Sequence, residues 1–207
     1  MRQWVRRRLL AWYDQHGRDF AWRHTTDPYQ VLLAEMMVQR TRAEQAERVW
    51  KQFVAAYPTL QAAREATDEE LLALLKPLGL TWRAQNIVAA IHETNDSTIG
   101  TRRMAGADHY VEAAVACFAK GHRKAIVDSN VVRIYARFLG YQSDDRTRRS
   151  TSFHQLARDM LPRDRVREYS WALLDLGALV CKPKPQCSNC PLKEGCAHVH
   201  KCHHGYD

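Results

Sequence analysis

No stretch of the chain is long and apolar enough to cross a membrane or to serve as a secretory signal. The first apolar run, Leu9 to Tyr13, is broken by Asp14. Internal repeats and low-complexity linkers are missing, which excludes a solenoid or a tethered array. Alternating β-branched runs are few, so no extended sheet is expected. Acidic residues are the minority charge: 23 Asp and Glu against 31 Lys and Arg leave a net +8. A soluble, intracellular protein is therefore expected, and its positive excess points to a polyanionic partner, most simply nucleic acid. The apolar fraction of 45% argues against wholesale disorder.

What is present is mainly helical periodicity. Val5, Leu9, Trp12 and Tyr13 mark a first helix that Gly17 ends. Asp27-Pro28-Tyr29-Gln30 carries a helix start, with Asp as N-cap and Pro in the first turn. The helix that follows is apolar through Val31-Leu32-Leu33-Ala34, interrupted by Glu35, then apolar again through Met36-Met37-Val38. Further helices are predicted from about Arg42 to Tyr57, from Asp68 to near Pro77, and over Trp82 to Ile91 and Tyr110 to Ala119. Others are predicted over Asn130 to Leu139, Ser150 to Met160 and Arg165 to Val180. The fold class is all-α, with helices packed around one or two cores.

Four of six cysteines fall in one short stretch, Cys181-x5-Cys187-x2-Cys190-x5-Cys196. An intracellular setting argues against disulfides, and four thiolates in one loop can close on a metal centre. The spacing leaves zinc and a cubane iron–sulfur cluster open. Lys182, Lys184 and Lys193 lie between these ligands, either as phosphate contacts or as solvated loop lysines. The tail with His198, His200, Cys202, His203 and His204 is expected to fray.

Two carboxylates stand in apolar settings. A buried Glu35 would hold its proton near neutral pH and act as a general acid, or would simply bond loop amides or an arginine. Asp128 follows Ala125-Ile126-Val127 and is placed to cap the next helix, where the dipole favours the anion. A protonated Glu opposite an ionised Asp is a common arrangement for cleaving glycosidic bonds.

Taken together, these residues resemble the helix-hairpin-helix DNA glycosylases of the endonuclease III superfamily. The resemblance covers nearly the whole chain. Trp22-Arg23-x3-Asp27-Pro28-Tyr29 and Glu35-Met36-Met37-Val38-Gln39-Arg40-Thr41 look like the opening of the adenine-mismatch and archaeal thymine-mismatch members. Arg18 to His24 leans toward the thymine enzyme. Val127-Asp128-Ser129-Asn130-Val131-Val132-Arg133 matches the segment with the family's essential Asp, and Asp175-Leu176-Gly177-Ala178 the approach to its cluster loop.

The resemblance implies a two-lobed fold with a DNA-binding cleft. A six-helix barrel would span residues 23–128, with the hairpin motif near 104–110. Residues 1–22 and 129–207 would form the second lobe, with a structural [4Fe-4S] cluster on loop 181–196; zinc is the alternative cofactor. Asp128 would stabilise the deoxyribosyl cation and Glu35 would bond or protonate the leaving base of a flipped nucleotide. Gln39 and Arg40 would contact the gap and the orphan base, and Gly106 and His109 the DNA backbone. Tyr110 replaces the lysine of bifunctional members, and a phenol forms no imine, so no efficient lyase activity is expected.

The hairpin reads Met104-Ala105-Gly106-Ala107-Asp108, with Asp in place of the family's second glycine, and the first cluster gap is one residue short. The chain ends soon after the cluster, which with Tyr110 favours T or U opposite G. Adenine opposite G or 8-oxoguanine, a modified base, and a non-catalytic DNA-binding module are the alternatives. The implied partner is double-stranded DNA carrying a mismatch, bound by a monomer in the cytoplasm at the nucleoid, with no membrane association.

Overall fold

The computed structural model describes residues 1–94, 99 and 109–203; for 201–203 only the backbone is described. The hairpin motif with Gly106 and Asp108, and the side chain of Cys202, lie outside the described residues. Every regular element among the described residues is helical. None of their helices is long and apolar enough to cross a membrane. The chain divides into two compact units, Asp19–His122 and Met1–Arg18 with Arg123–Asp207.

The Asp19–His122 unit is built around α2 (Pro28–Met37). Asp27 caps it, its carboxylate accepting the N–H of Tyr29 at 2.8 Å and of Gln30 at 3.3 Å. Eight of its ten residues are buried, Glu35 among them. That burial follows from composition: a helix apolar on every side needs neighbours on every side. The neighbours are α3 (Ala43–Ala56), α6 (Thr81–Glu93) and α7 (His109–Phe118). The Trp50 indole donates to the Gln30 carbonyl at 2.8 Å, pinning α3 to the first turn of α2. Two short helices complete this unit, α4 (Leu60–Glu65) and α5 (Asp68–Leu75). Thr67 and Glu70 form a reciprocal capping box at the start of α5. Gly79 ends the following turn at φ +81°, a left-handed position that suits glycine.

The other unit packs α1 (Arg2–His16) against α10 (Val166–Leu179), and α10 against α8 (Ser129–Leu139). α9 (Thr151–Met160) is tied to α1 by Arg6, which donates to the carbonyls of Met160 at 3.0 Å and Asp159 at 2.7 Å. Asp175 is fully buried on α10 and accepts from the Arg18 backbone N–H at 2.8 Å and from Arg18 Nε at 2.7 Å. The cysteine loop follows α10, and the tail beyond it forms α11 (Ala197–His203) against α8. Over Ala197–His203 the expected fraying is therefore corrected, and His198 and Val199 line the cysteine pocket.

Candidate active site and cysteine centre

The two carboxylates singled out by sequence lie one in each unit. Glu35 is 5% exposed on α2. Tyr110, in the first turn of α7, donates its hydroxyl to Glu35 Oε2 at 3.0 Å. The phenol is thus a direct hydrogen-bond partner of the buried carboxyl. His109, at the start of α7, is exposed and sits 3.4 Å from Glu112. Gln39 is partly exposed and Arg40 exposed, on the turn that leaves α2. Arg40 holds φ +55°, a strained value for a residue with a side chain.

Asp128 caps α8. Its Oδ1 accepts the Val131 N–H at 2.8 Å, and its Oδ2 accepts from Asn130 Nδ2 at 2.7 Å. Burial pushes the carboxyl above its ordinary range; the Val131 and Asn130 donors and the charge of Arg133 oppose that rise. The cap is as expected from sequence, but desolvation outweighs it. A carboxylate that is desolvated yet surrounded by donors binds a developing cation more strongly than one in water.

Asn130 and Arg133 are site residues that the sequence reading quoted without giving them a task. Asn130 Oδ1 accepts from Arg133 Nη2 at 2.6 Å. Arg133 also donates to the Gly177 carbonyl at 3.0 Å and, through Nε, to the Cys181 carbonyl at 2.7 Å. A hydrogen-bonded path therefore runs from the Asp128 carboxyl to the first cysteine of the cluster motif. Gly177 fits because a Cβ there would meet Asn130 Cβ at 2.6 Å. The signal was available in the i, i+2, i+5 spacing at one helix start, which puts three polar groups around a single turn.

Cys181, Cys187, Cys190 and Cys196 line one pocket whose apolar walls include Ile134, Phe138 and Leu192. Among the described residues, none of the four is joined in a disulfide. Among the described residues, no three His, Cys, Asp or Glu side chains converge as ligands of a single ion. Four thiols around one pocket are a donor set open to an iron–sulfur cluster or to zinc. Burial pushes the Cys190 thiol up to about 11, with the Leu192 N–H opposing and the other three cysteines adding to the rise. Metal binding there must displace protons. Arg137 braces the loop, donating to the carbonyls of Lys182 at 2.6 Å and Pro183 at 2.9 Å, with Nη1 3.6 Å from Cys181 Sγ. Of the three loop lysines, Lys184 and Lys193 are exposed and Lys182 is partly exposed. Lys193 also reaches the Ser188 carbonyl at 3.4 Å.

Comparison with known proteins matches this architecture. Residues 33–158 fit the family described as HhH-GPD superfamily base excision DNA repair protein. The chain belongs to that family. It is 28% identical over 204 residues to the thymine/uracil-DNA glycosylase of Methanothermobacter thermautotrophicus, spanning 94% of this chain and 92% of that protein. It is 34% identical over 203 residues to the adenine DNA glycosylase of Mycobacterium tuberculosis, spanning 93% of this chain and 66% of the relative. A solved thermostable thymine-DNA glycosylase superposes with a TM-score of 0.87 at 28% identity, covering 97% of both chains.

Proposed function

We propose that the chain is a monofunctional DNA glycosylase that hydrolyses the N-glycosidic bond of a flipped, mismatched base, thymine or uracil opposite guanine, in base excision repair. The observation that carries this reading is the Asp128 carboxyl, desolvated and held by two donors at a helix N-terminus. As the C1′–N bond breaks, its electron pair leaves with the base and the sugar becomes cationic. Asp128 stabilises that cation. Water adds its oxygen to C1′ and its proton passes to the Asp128 carboxylate, while Glu35 bonds or protonates the departing base. A mismatched base suits this route because it is cheaper to extrude than a paired one.

Tyr110 has no amine to attack C1′, so the strand stays intact after base loss. Gln39, Arg40, Gly106 and His109 serve as DNA contacts, joined by the loop lysines 182, 184 and 193. The four cysteines would hold a [4Fe-4S] cluster, and their gathering around one apolar pocket supports that assignment. Such a cluster supplies structural cross-linking of the loop, since hydrolysis moves no electrons. The protein acts as a monomer on double-stranded DNA in the cytoplasm, at the nucleoid. Similarity to an adenine DNA glycosylase favours adenine opposite guanine as the second reading.

The test uses purified protein and an end-labelled G:U duplex under single turnover. Strand breaks that appear only after alkali, with no adduct trapped by borohydride, support a monofunctional glycosylase. Breaks without alkali, or a trapped adduct, contradict it.

A further inference from the structure

Among the described residues Arg83 is the largest fully buried side chain, at 1% exposure in α6. A buried guanidinium is costly unless it is paired. Among the described residues no carboxylate pairs with Arg83, and its Nε has no hydrogen-bond partner. Its two terminal nitrogens reach two backbone carbonyls from different turns. Nη1 donates to Gln39, and Nη2 donates to Leu78 at 2.6 Å. The first carbonyl belongs to the turn after α2, the second to the turn between α5 and α6. A second tie runs parallel, from the Gln45 side-chain amide to the Pro77 carbonyl.

The turn that Arg83 grips is the one that carries strain. Arg40 sits at φ +55°, next to the gripped carbonyl, and the Thr41 N–H closes the turn onto Val38 at 3.2 Å. A non-glycine residue stays in that conformation only where its surroundings over-determine it. A forked, rigid cation can hold two carbonyls at once, whereas an ammonium is a single point donor. The expense of an unpaired buried cation is thus concentrated on the shape of one surface turn. Violations of this kind gather at functional positions.

We infer that Arg83 is a positioning residue that sets how Gln39 and Arg40 are presented to the strand opposite the target, and so sets discrimination by the opposite base. This rests on the glycosylase reading above. Without Arg83 the turn relaxes, Gln39 and Arg40 lose their fixed approach, and the opposite base is read less sharply. The bond-breaking groups Asp128 and Glu35 are not part of this device.

The experiment compares wild type with Arg83→Met, Arg83→Lys, Gln39→Ala and the double variant Gln39→Ala/Arg83→Met. Val88→Ala, a core truncation on the same helix, controls for lost stability. Single-turnover rates are measured for U opposite G and U opposite A, and in parallel for A opposite G and A opposite T. Hydrogen exchange of the segment 38–42 is followed in the same proteins without DNA. For Arg83→Met we expect about tenfold faster exchange in that segment and about a tenfold fall in the opposite-base rate ratio. Arg83→Lys should restore only part of both, and the double variant should fall no further than the lower single one. Val88→Ala should leave the ratio unchanged.

Unchanged exchange in Arg83→Met overturns the grip on the turn. Faster exchange with an unchanged ratio, or an additive double variant, overturns the positioning role. A wild-type protein that excises neither base overturns the glycosylase reading and the discrimination claim with it, while the exchange arm still tests the grip by itself.

Discussion

Asp128 does two things at once, capping a helix and, on the proposed mechanism, facing a cation, and substitutions separate the two. Asn caps about as well as Asp, so Asp128→Asn keeps an acceptor for the Val131 N–H. It also removes a buried charge. It loses the bond from Asn130, because Arg133 fixes Asn130 with its amide nitrogen toward position 128, and two amide donors cannot bond each other. The lost bond is worth about 1 kcal/mol and the relieved desolvation acts against it. Near neutral pH, Asp128→Asn should therefore melt within roughly 2–4 °C of wild type. Asp128→Ala loses the cap as well, about 1 kcal/mol, and should melt lower than Asp128→Asn.

The pH dependence has a definite sign. Burial raises the folded-state pKa of Asp128 above its ordinary value. Its favourable contribution is complete below the ordinary carboxylate range and is lost as pH rises through the raised value. The melting temperature of Asp128→Asn relative to wild type should thus be higher at neutral pH than in acid. Meanwhile excision should fall by about 100- to 1,000-fold, as when an oriented electrostatic stabiliser is removed. Calorimetry across pH and single-turnover cleavage check both. Wild-type turnover in Asp128→Asn, or a relative melting temperature that rises toward acid, would refute the reasoning.

Gly177→Ala should cut activity without bleaching the cysteine centre, since its new methyl would displace Asn130, the partner of Asp128; cleavage rate and visible absorbance distinguish the two effects. Arg18→Met leaves the buried Asp175 without its guanidinium partner and should cost about 3 kcal/mol, read by calorimetry as a large fall in Tm with the cavity chemistry intact. Tyr110→Lys places an amine beside Glu35, and borohydride should then trap a covalent adduct with DNA that wild type does not form. Protein purified without oxygen should be brown with broad absorbance near 400 nm, and Cys190→Ser should lose that colour and melt lower; a colourless protein with stoichiometric zinc would contradict the cluster.

Much of the helical layout was legible because its signals are local. Asp27-Pro28 and the Gly17 stop act within a few residues of themselves. α4 was missed because it has only six residues between Pro58 and Thr67, too few for periodicity to show. The histidine-rich tail looked solvated, yet α11 lies so close to α8 that a Cβ on Gly140 would meet Ala197 at 2.8 Å. Burial of Glu35 was undecided in sequence because it depends on what surrounds α2, a tertiary matter.

The Trp82-Arg83 pair misleads most directly. Composition suggests a buried Trp and a solvated Arg, and the fold has them reversed, with Trp82 44% exposed and Arg83 buried. Helical phase carries the missing signal, since Arg83 shares a stripe with Ile87, Ala90 and Ile91. Likewise Asn130 and Arg133 were visible as a motif, but the carbonyls of Gly177 and Cys181 that they serve come from a distant part of the chain.

Base excision itself is tested most directly by a single-turnover panel of G:T, G:U, A:G and A:8-oxoguanine duplexes, worked up with alkali, for wild type and Asp128→Asn. The account predicts cleavage of G:T and G:U by wild type that is lost in Asp128→Asn. Cleavage confined to the adenine mispairs would transfer the assignment to the second reading, and no cleavage of any duplex, or cleavage that survives in Asp128→Asn, would contradict it.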